Sequence, residues 1–216
     1  MLFTGKSILR LTQCVCACTA VLSMSSVQAQ TVISELLYDA SNTDNGNVFV
    51  ELFGSPGTPL DGLLLEGVNG SDGSIYRSVV LAGVIPADGV FLIGDDSGDG
   101  STFISDADLV REIDFQNGPD SVVLRNGDTV LDALGYGDFT GQVFAGEGDA
   151  APDVPAGGSL ARHNALLDTN NNFNDFMVLD LATPGAVPVS AVPVPPAIAL
   201  FLSGIVGLVG VARKRG

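Results

Sequence analysis

From Thr31 onward, short apolar runs of strand length alternate with turn residues. "TVISELLYD", "NVFVELFG", "LDGLLLEGV", "IYRSVVLAG", "GVFLIGDD", "DSVVLRNGD" and "TVLDALGYG" are rich in Val, Leu, Ile and Phe, and no helical window of comparable length competes with them. Between the runs stand Gly54-Ser55-Pro56-Gly57, Asn69-Gly70, Asp88-Gly89 and Asn126-Gly127, where Gly and Asn tolerate the positive φ of tight turns. Asn126-Gly127, between "SVVLR" and "DTVLDAL", is the strongest hairpin signal. In "VFVEL" the period of two sends Val48, Val50 and Leu52 to one side and Phe49 and Glu51 to the other, so one face is wholly apolar. About seven short strands without a helical crossover predict an all-β fold, an antiparallel sandwich or barrel.

The two ends of the 216-residue chain read differently from its middle. Residues 1–29 have the form of a removable signal peptide: Lys6 and Arg10 open it, Leu11 to Met24 is mostly small and apolar, and Val27-Gln28-Ala29 suits a signal peptidase cutting between Ala29 and Gln30. Cys14, Cys16 and Cys18 all lie in this leader, so the exported domain would hold no thiol, disulfide or cysteine metal ligand. At the other end, Ala197 to Ala212 contains no charge and makes a helix of about 24 Å, somewhat short of a bilayer core of roughly 30 Å. Pro193, Pro195 and Pro196 suit the approach to such a helix, and the basic residues 213–216 behind it would stay cytoplasmic. The expected organisation is a leader at 1–29, a β domain at 30–186, a Pro-rich linker at 187–196, a transmembrane helix at 197–212 and a basic tail at 213–216.

Charge sharpens this picture. All 25 acidic residues fall between Glu35 and Asp180, against only Arg77, Arg111, Arg125 and Arg162. So negative a surface repels phosphate backbones and argues against nucleic-acid binding. There is no Lys between Lys6 and Lys214, which removes Schiff-base chemistry and a phosphate-loop lysine. His163 is the single histidine, and "GGSLA" around Ser159 lacks the second Gly of a nucleophile elbow. Paired carboxylates such as Asp95 and Asp96 are abundant by number alone, and without Trp the chain lacks the usual aromatic platform of a glycosidase cleft. The chain reads as non-catalytic, with a secreted hydrolase as the enzyme alternative.

Calcium is the sharper chemical expectation. "DDSGDGSTFISD" sets Asp95, Ser97, Asp99, Gly100 and Asp106 at positions 1, 3, 5, 6 and 12 of a calcium-loop template, although Phe103 stands at position 9 and Asp replaces Glu at position 12. Asp168, Asn170, Asn172 and Asp175 form a second run of alternating oxygen donors. Both stretches have an ordinary alternative as solvated turns closed by side-chain to backbone bonds. If calcium binds, the expected role is recognition of a carbohydrate or protein ligand.

Two stretches also carry resemblances. "VPVPPAIALFLSGIVGLVGVARKR" resembles the PEP-CTERM sorting signal in its Val-Pro-x-Pro variant: Val192, Pro193 and Pro195 occupy the motif, followed by the apolar helix and then Arg213, Lys214 and Arg215. That resemblance implies processing by the membrane protease exosortase and association with the cell surface, exopolysaccharide or extracellular matrix of a Gram-negative bacterium. "VISELLYDASNTDNGNVFVELFG", "VIPADGVFLIGDD", "GPDSVVLRNGDTVLDALGYG" and "SLARHNALLDTNNNFNDFMVLDLATPGA" are similar, in this order, to the lamin-tail domain family over about residues 31–186. That resemblance implies an immunoglobulin-like β-sandwich acting as an interaction or targeting module, with surface proteins or exopolysaccharide as partners. A fold resemblance of this kind does not itself specify a ligand.

Overall fold

A computed structural model of the chain describes residues 30–186. The expected leader with Ala29, and the expected linker, helix and basic tail with Val192, Pro193, Pro195, Arg213, Lys214 and Arg215, lie outside the described residues. Among the described residues no helix is long and apolar enough to cross a membrane.

The domain is a β-sandwich of ten strands with one short helix. In chain order these are β1 (Val32–Leu37), β2 (Phe49–Phe53), β3 (Leu64–Asn69), β4 (Ile75–Val80), β5 (Val90–Asp95), β6 (Leu109–Arg111), β7 (Asp120–Asn126), β8 (Thr129–Tyr136), β9 (Ser159–Arg162), α1 (Asn172–Asp175) and β10 (Phe176–Leu179). Six strands form one sheet in the order β10-β9-β1-β2-β5-β6, and four form the other in the order β4-β3-β7-β8. Each of the seven predicted runs contains a strand, and the Asn126-Gly127 signal falls at the β7–β8 hairpin, where Asn126 pairs with Thr129 and Gly127, at φ 56°, and Asp128 make the turn. The pairing is antiparallel except for β5 with β6, which run parallel.

The main core lies between the sheets. Val50, Leu52, Phe91 and Ile93 from the larger sheet meet Leu65, Val122, Leu124 and Leu134 from the smaller one, all buried. Tyr38 and Tyr136 stack here with ring centroids 4.4 Å apart, and both hydroxyls are bonded. The alternation in "VFVEL" thus places Val50 and Leu52 inward as expected, whereas Val48 joins Phe49 in a second cluster with Leu37 and Leu92. This second cluster forms because the outer face of the larger sheet is also covered. Ala40, Ile104 and Ala182 pack over it, and every residue of β1, β2 and β5 is buried. A strand covered on both faces carries its polar residues into the interior, which is why Glu35 and Glu51 are buried in the middle of apolar runs.

Candidate functional site

The Asp95 and Asp99 carboxylates of the first calcium template are engaged by nearby donors. Asp95 ends β5, and its carboxylate is already committed: Oδ2 accepts from Gly46 N at 2.9 Å and Oδ1 from Ile113 N at 2.9 Å. It thereby ties two loops to the end of the strand. Asp99 turns back on its own loop, accepting from Ser97 Oγ at 2.9 Å and from Ser101 N at 3.0 Å. Ser101 Oγ bonds the same Asp99 oxygen at 2.6 Å, and these hydroxyl and amide donors hold the exposed carboxyl below its usual range. Asp96, not part of the template positions, accepts from Gly98 N and Gly100 N at 2.8 Å each. Asp106 sits apart, exposed and with φ 59°, on a hollow shared with Asp88 and Asp108.

The second run, by contrast, contributes to a built arrangement. Asn171 caps α1 by accepting from Asn174 N, which turns the chain so that Asn172 and Asp175 point inward. Asn172 is fully buried: its Oδ1 accepts from Gly135 N at 2.8 Å and Glu147 N at 2.9 Å, and its Nδ2 donates to Ala133 O at 2.8 Å. It staples α1 to β8 and leaves no oxygen lone pair free for a ligand. Asn170 is exposed, in the left-handed region at φ 53°.

Asp168 and Asp175 converge on Arg162, the last residue of β9, whose side chain is wholly buried. Its Nη1 lies 3.0 Å from Asp175 Oδ2 and 3.4 Å from Asp168 Oδ1, while Nη2 lies 3.0 Å from both oxygens of Asp132 on β8. Nε donates to Ile33 O at 3.0 Å, and the guanidinium rests 4.7 Å from the centre of the Phe176 ring. Asp175 is also held by Thr169, through N at 2.9 Å and Oγ1 at 2.7 Å. A single cation therefore sits among three carboxylates and joins β8, β9, β1 and α1.

A fourth carboxylate completes the cluster. Asp132, Glu147 and Asp168 each offer an oxygen within 4.8 Å of the others, the one such group of potential metal ligands among the described residues. Glu147 Oε2 is buried without a hydrogen-bond partner. Burial first, then Asp132 and Asp168, push the Glu147 carboxyl up to about 7, against the opposing pull of Arg162. The Asp132 carboxyl is likewise raised by burial, although Arg162 and the Ile33 N–H oppose the shift. Because Arg162 already supplies the positive charge here, the cluster reads as an internal ion network that fastens the C-terminal elements to both sheets.

The sequence offered two further features. His163 is exposed, and the Ser159 hydroxyl is buried and donates to Glu35 Oε1 at 2.6 Å, so the two do not form a nucleophile and base pair. A groove of about 560 Å³ runs between the outer strand β4 and β6 and is lined by Arg77, Arg111, Asp96 and Glu112. Arg77 Nη1 bonds Glu112 Oε2 across it at 2.8 Å.

Sequence reasoning missed Arg162, Asp132, Glu35 and Glu51 as interior charges. The signal was present: each is an ionic residue inside a strand-length apolar run, in "SLAR", "TVLDALG", "ISELL" and "FVELF". Glu147 carried no comparable signal, since it lies in a Gly-rich loop whose path only the fold defines. No family model, curated protein or solved structure matches the chain.

Proposed function

We propose that the chain is an exported, non-catalytic interaction module, a lamin-tail-like sandwich of immunoglobulin type, delivered to the cell surface or extracellular matrix by its two ends. The observation that carries this reading is the order of the C-terminal residues. Six residues after Ala186, the last described residue, the chain reaches Val192-Pro193-Val194-Pro195, then an uncharged stretch, then Arg213-Lys214-Arg215. That order fits a temporary membrane tether cut by exosortase, with signal peptidase acting between Ala29 and Gln30.

The domain itself supports a binding role over a chemical one. Arg162 is paired with Asp132 and Asp175, and Asp95 accepts from two backbone N–H groups, so these buried charges brace turns and strands. The exposed surface offers an open sheet edge at β4 and a shallow charged groove, the kind of feature that suits association with exopolysaccharide or surface proteins.

Cell fractionation with intact-mass measurement tests the proposal. The mature protein is expected outside the cytoplasm, starting at Gln30 and shortened at its C-terminus. Recovery of the uncut chain from the cytoplasm overturns it.

A further inference from the structure

Residues 181–186 form a strap over the outer face of the six-stranded sheet, and what holds the strap is unusual. Only Ala182 packs into the apolar cluster beneath it, the other five residues are exposed, and the strap backbone joins no strand. Its attachments are to two carboxylates. Thr183 donates to Glu35 through N at 2.8 Å and through Oγ1 at 2.7 Å, and Gly185 N donates to Glu51 Oε2 at 2.7 Å.

Those carboxylates are direct neighbours. Glu35 on β1 is paired in register with Glu51 on β2, and both are almost wholly buried. From beneath, Ser159 Oγ on β9 donates to Glu35, and Ser34 Oγ on β1 donates to Glu51 Oε1 at 2.7 Å. The charged group facing them from the turn before β5 is Asp88, again an acid. Among the described residues no counter-cation is at hand: Arg77 is bonded to Glu112, Arg111 to Val110 O, Arg125 to Glu66, and Arg162 to Asp132 and Asp175. Two anions side by side in a dry layer repel one another, so the arrangement favours one proton on the pair.

We propose that Glu35 and Glu51 form a proton-operated latch, holding the strap 181–186 on the sheet while Glu51 carries a proton and releasing it when that proton leaves. The Ser34 hydroxyl can serve either state. With Glu51 neutral, its O–H donates to Ser34 Oγ and its carbonyl oxygen still accepts from Gly185 N. With Glu51 ionised, Ser34 donates and the full charge faces Glu35. Release exposes both carboxylates to water, which removes the penalty.

Burial above all, with Glu35 and Asp88 adding to it, raises the docked Glu51 carboxyl to about 7, while Ser34 and Gly185 pull the other way. An undocked, hydrated Glu51 returns toward the ordinary 4.5. A pKa raised in the docked state makes docking strongest below about 4.5 and weakens it as pH climbs through about 7. Release lengthens the connection between domain and tail by six residues, about 20 Å when extended. The latch would thus set how far the domain reaches from whatever its C-terminus is fixed to, and it holds whether or not the tail is processed.

Hydrogen exchange on the full chain from pH 4.5 to 8.5, corrected for intrinsic rates, tests the latch. Protection of the Thr183 and Gly185 amides is expected to fall on the order of a hundredfold along a one-proton curve, with Leu36 in β1 unaffected. In Glu51→Gln the strap amides are expected to stay equally protected across the range. A pH-independent strap in the native chain, or an unchanged curve in the variant, overturns the proposal. The carboxyl carbon of Glu51, followed by NMR in the native chain, gives a readout that needs no variant. A midpoint shared with strap protection supports the latch, and a midpoint near 4.5 sinks it.

Discussion

Arg162 and Asp132 meet across the two sheets of the sandwich: Nη2 of the arginine on β9 lies 3.0 Å from both carboxylate oxygens on β8, and neither side chain is reached by solvent. Asp132 Oδ2 also receives the Ile33 N–H of β1, so the pair links the first strand, the last hairpin strand and the C-terminal elements at one point.

Removing the cation from this point leaves three carboxylates without it. Arg162→Met is expected to destabilise the domain by about 3 to 5 kcal/mol, the usual cost of stranding a buried charge. Arg162→Lys keeps the charge but loses the fork that serves Asp132, Asp175 and Ile33 O together, and should fall between the native protein and Arg162→Met. Urea unfolding of the three proteins gives the ranking.

Glu147 makes stability depend on pH in the direction opposite to a salt-bridged acid. Its carboxyl is raised to about 7 in the fold by burial and by Asp132 and Asp168, so its contribution is complete below the unfolded value of about 4.5 and is lost as pH rises through about 7. Glu147→Gln is expected to flatten that part of the curve, measured as the urea midpoint at successive pH values. A decline of unaltered steepness between pH 5 and 8 contradicts the assignment.

Asp95 separates a structural from a calcium-binding role. Asp95→Asn removes the charge from the acceptor of Gly46 N and Ile113 N and turns one of its oxygens into a donor. A loss of about 1 to 3 kcal/mol is expected, equal in calcium and in chelator. A loss seen only with calcium present would place an ion at residues 95–106.

Tyr38 closes the sandwich at its other end. Its hydroxyl donates to Asp153 Oδ1 at 2.9 Å and accepts from Val154 N at 2.8 Å. Tyr38→Phe keeps the stack on Tyr136 but leaves the buried Val154 N–H without this acceptor, for an expected loss of about 1 to 2 kcal/mol in thermal or urea unfolding.

The strands were legible because each is a Val-, Leu- and Ile-rich run between Gly, Asn and Pro turns, and the Asn126-Gly127 hairpin follows from local chemistry alone. β6, β9 and β10 were not read as strands. They are three or four residues long, too short for a period of two to register, and they exist because neighbouring edges recruit them. The spacing of Asp95, Ser97, Asp99 and Asp106 matched a metal loop, but spacing does not reveal that Gly46 and Ile113 bring their N–H groups to the same carboxylate from distant loops. Likewise Asp168 and Asp175 were visible as oxygen donors, while Arg162, the group they serve, lay in a run that looked simply apolar. Local patterns reach as far as turns and strands; the partners of interior charges are set by contacts between separate elements, from Arg162 with Asp132, 30 residues apart, to Ser159 with Glu35, 124 residues apart.

The position of β1 in its sheet imposes an order of events on the chain. The first described strand to emerge from a ribosome is an inner strand, with β2 on one side and β9 on the other. Until Ser159–Arg162 follows, one flank of β1 stays unpaired, and the guanidinium that neutralises Asp132 is missing as well. A polypeptide made from its N-terminus is consequently obliged to leave this seam unpaired, and exposed to proteolysis, until Ser159–Arg162 has been added.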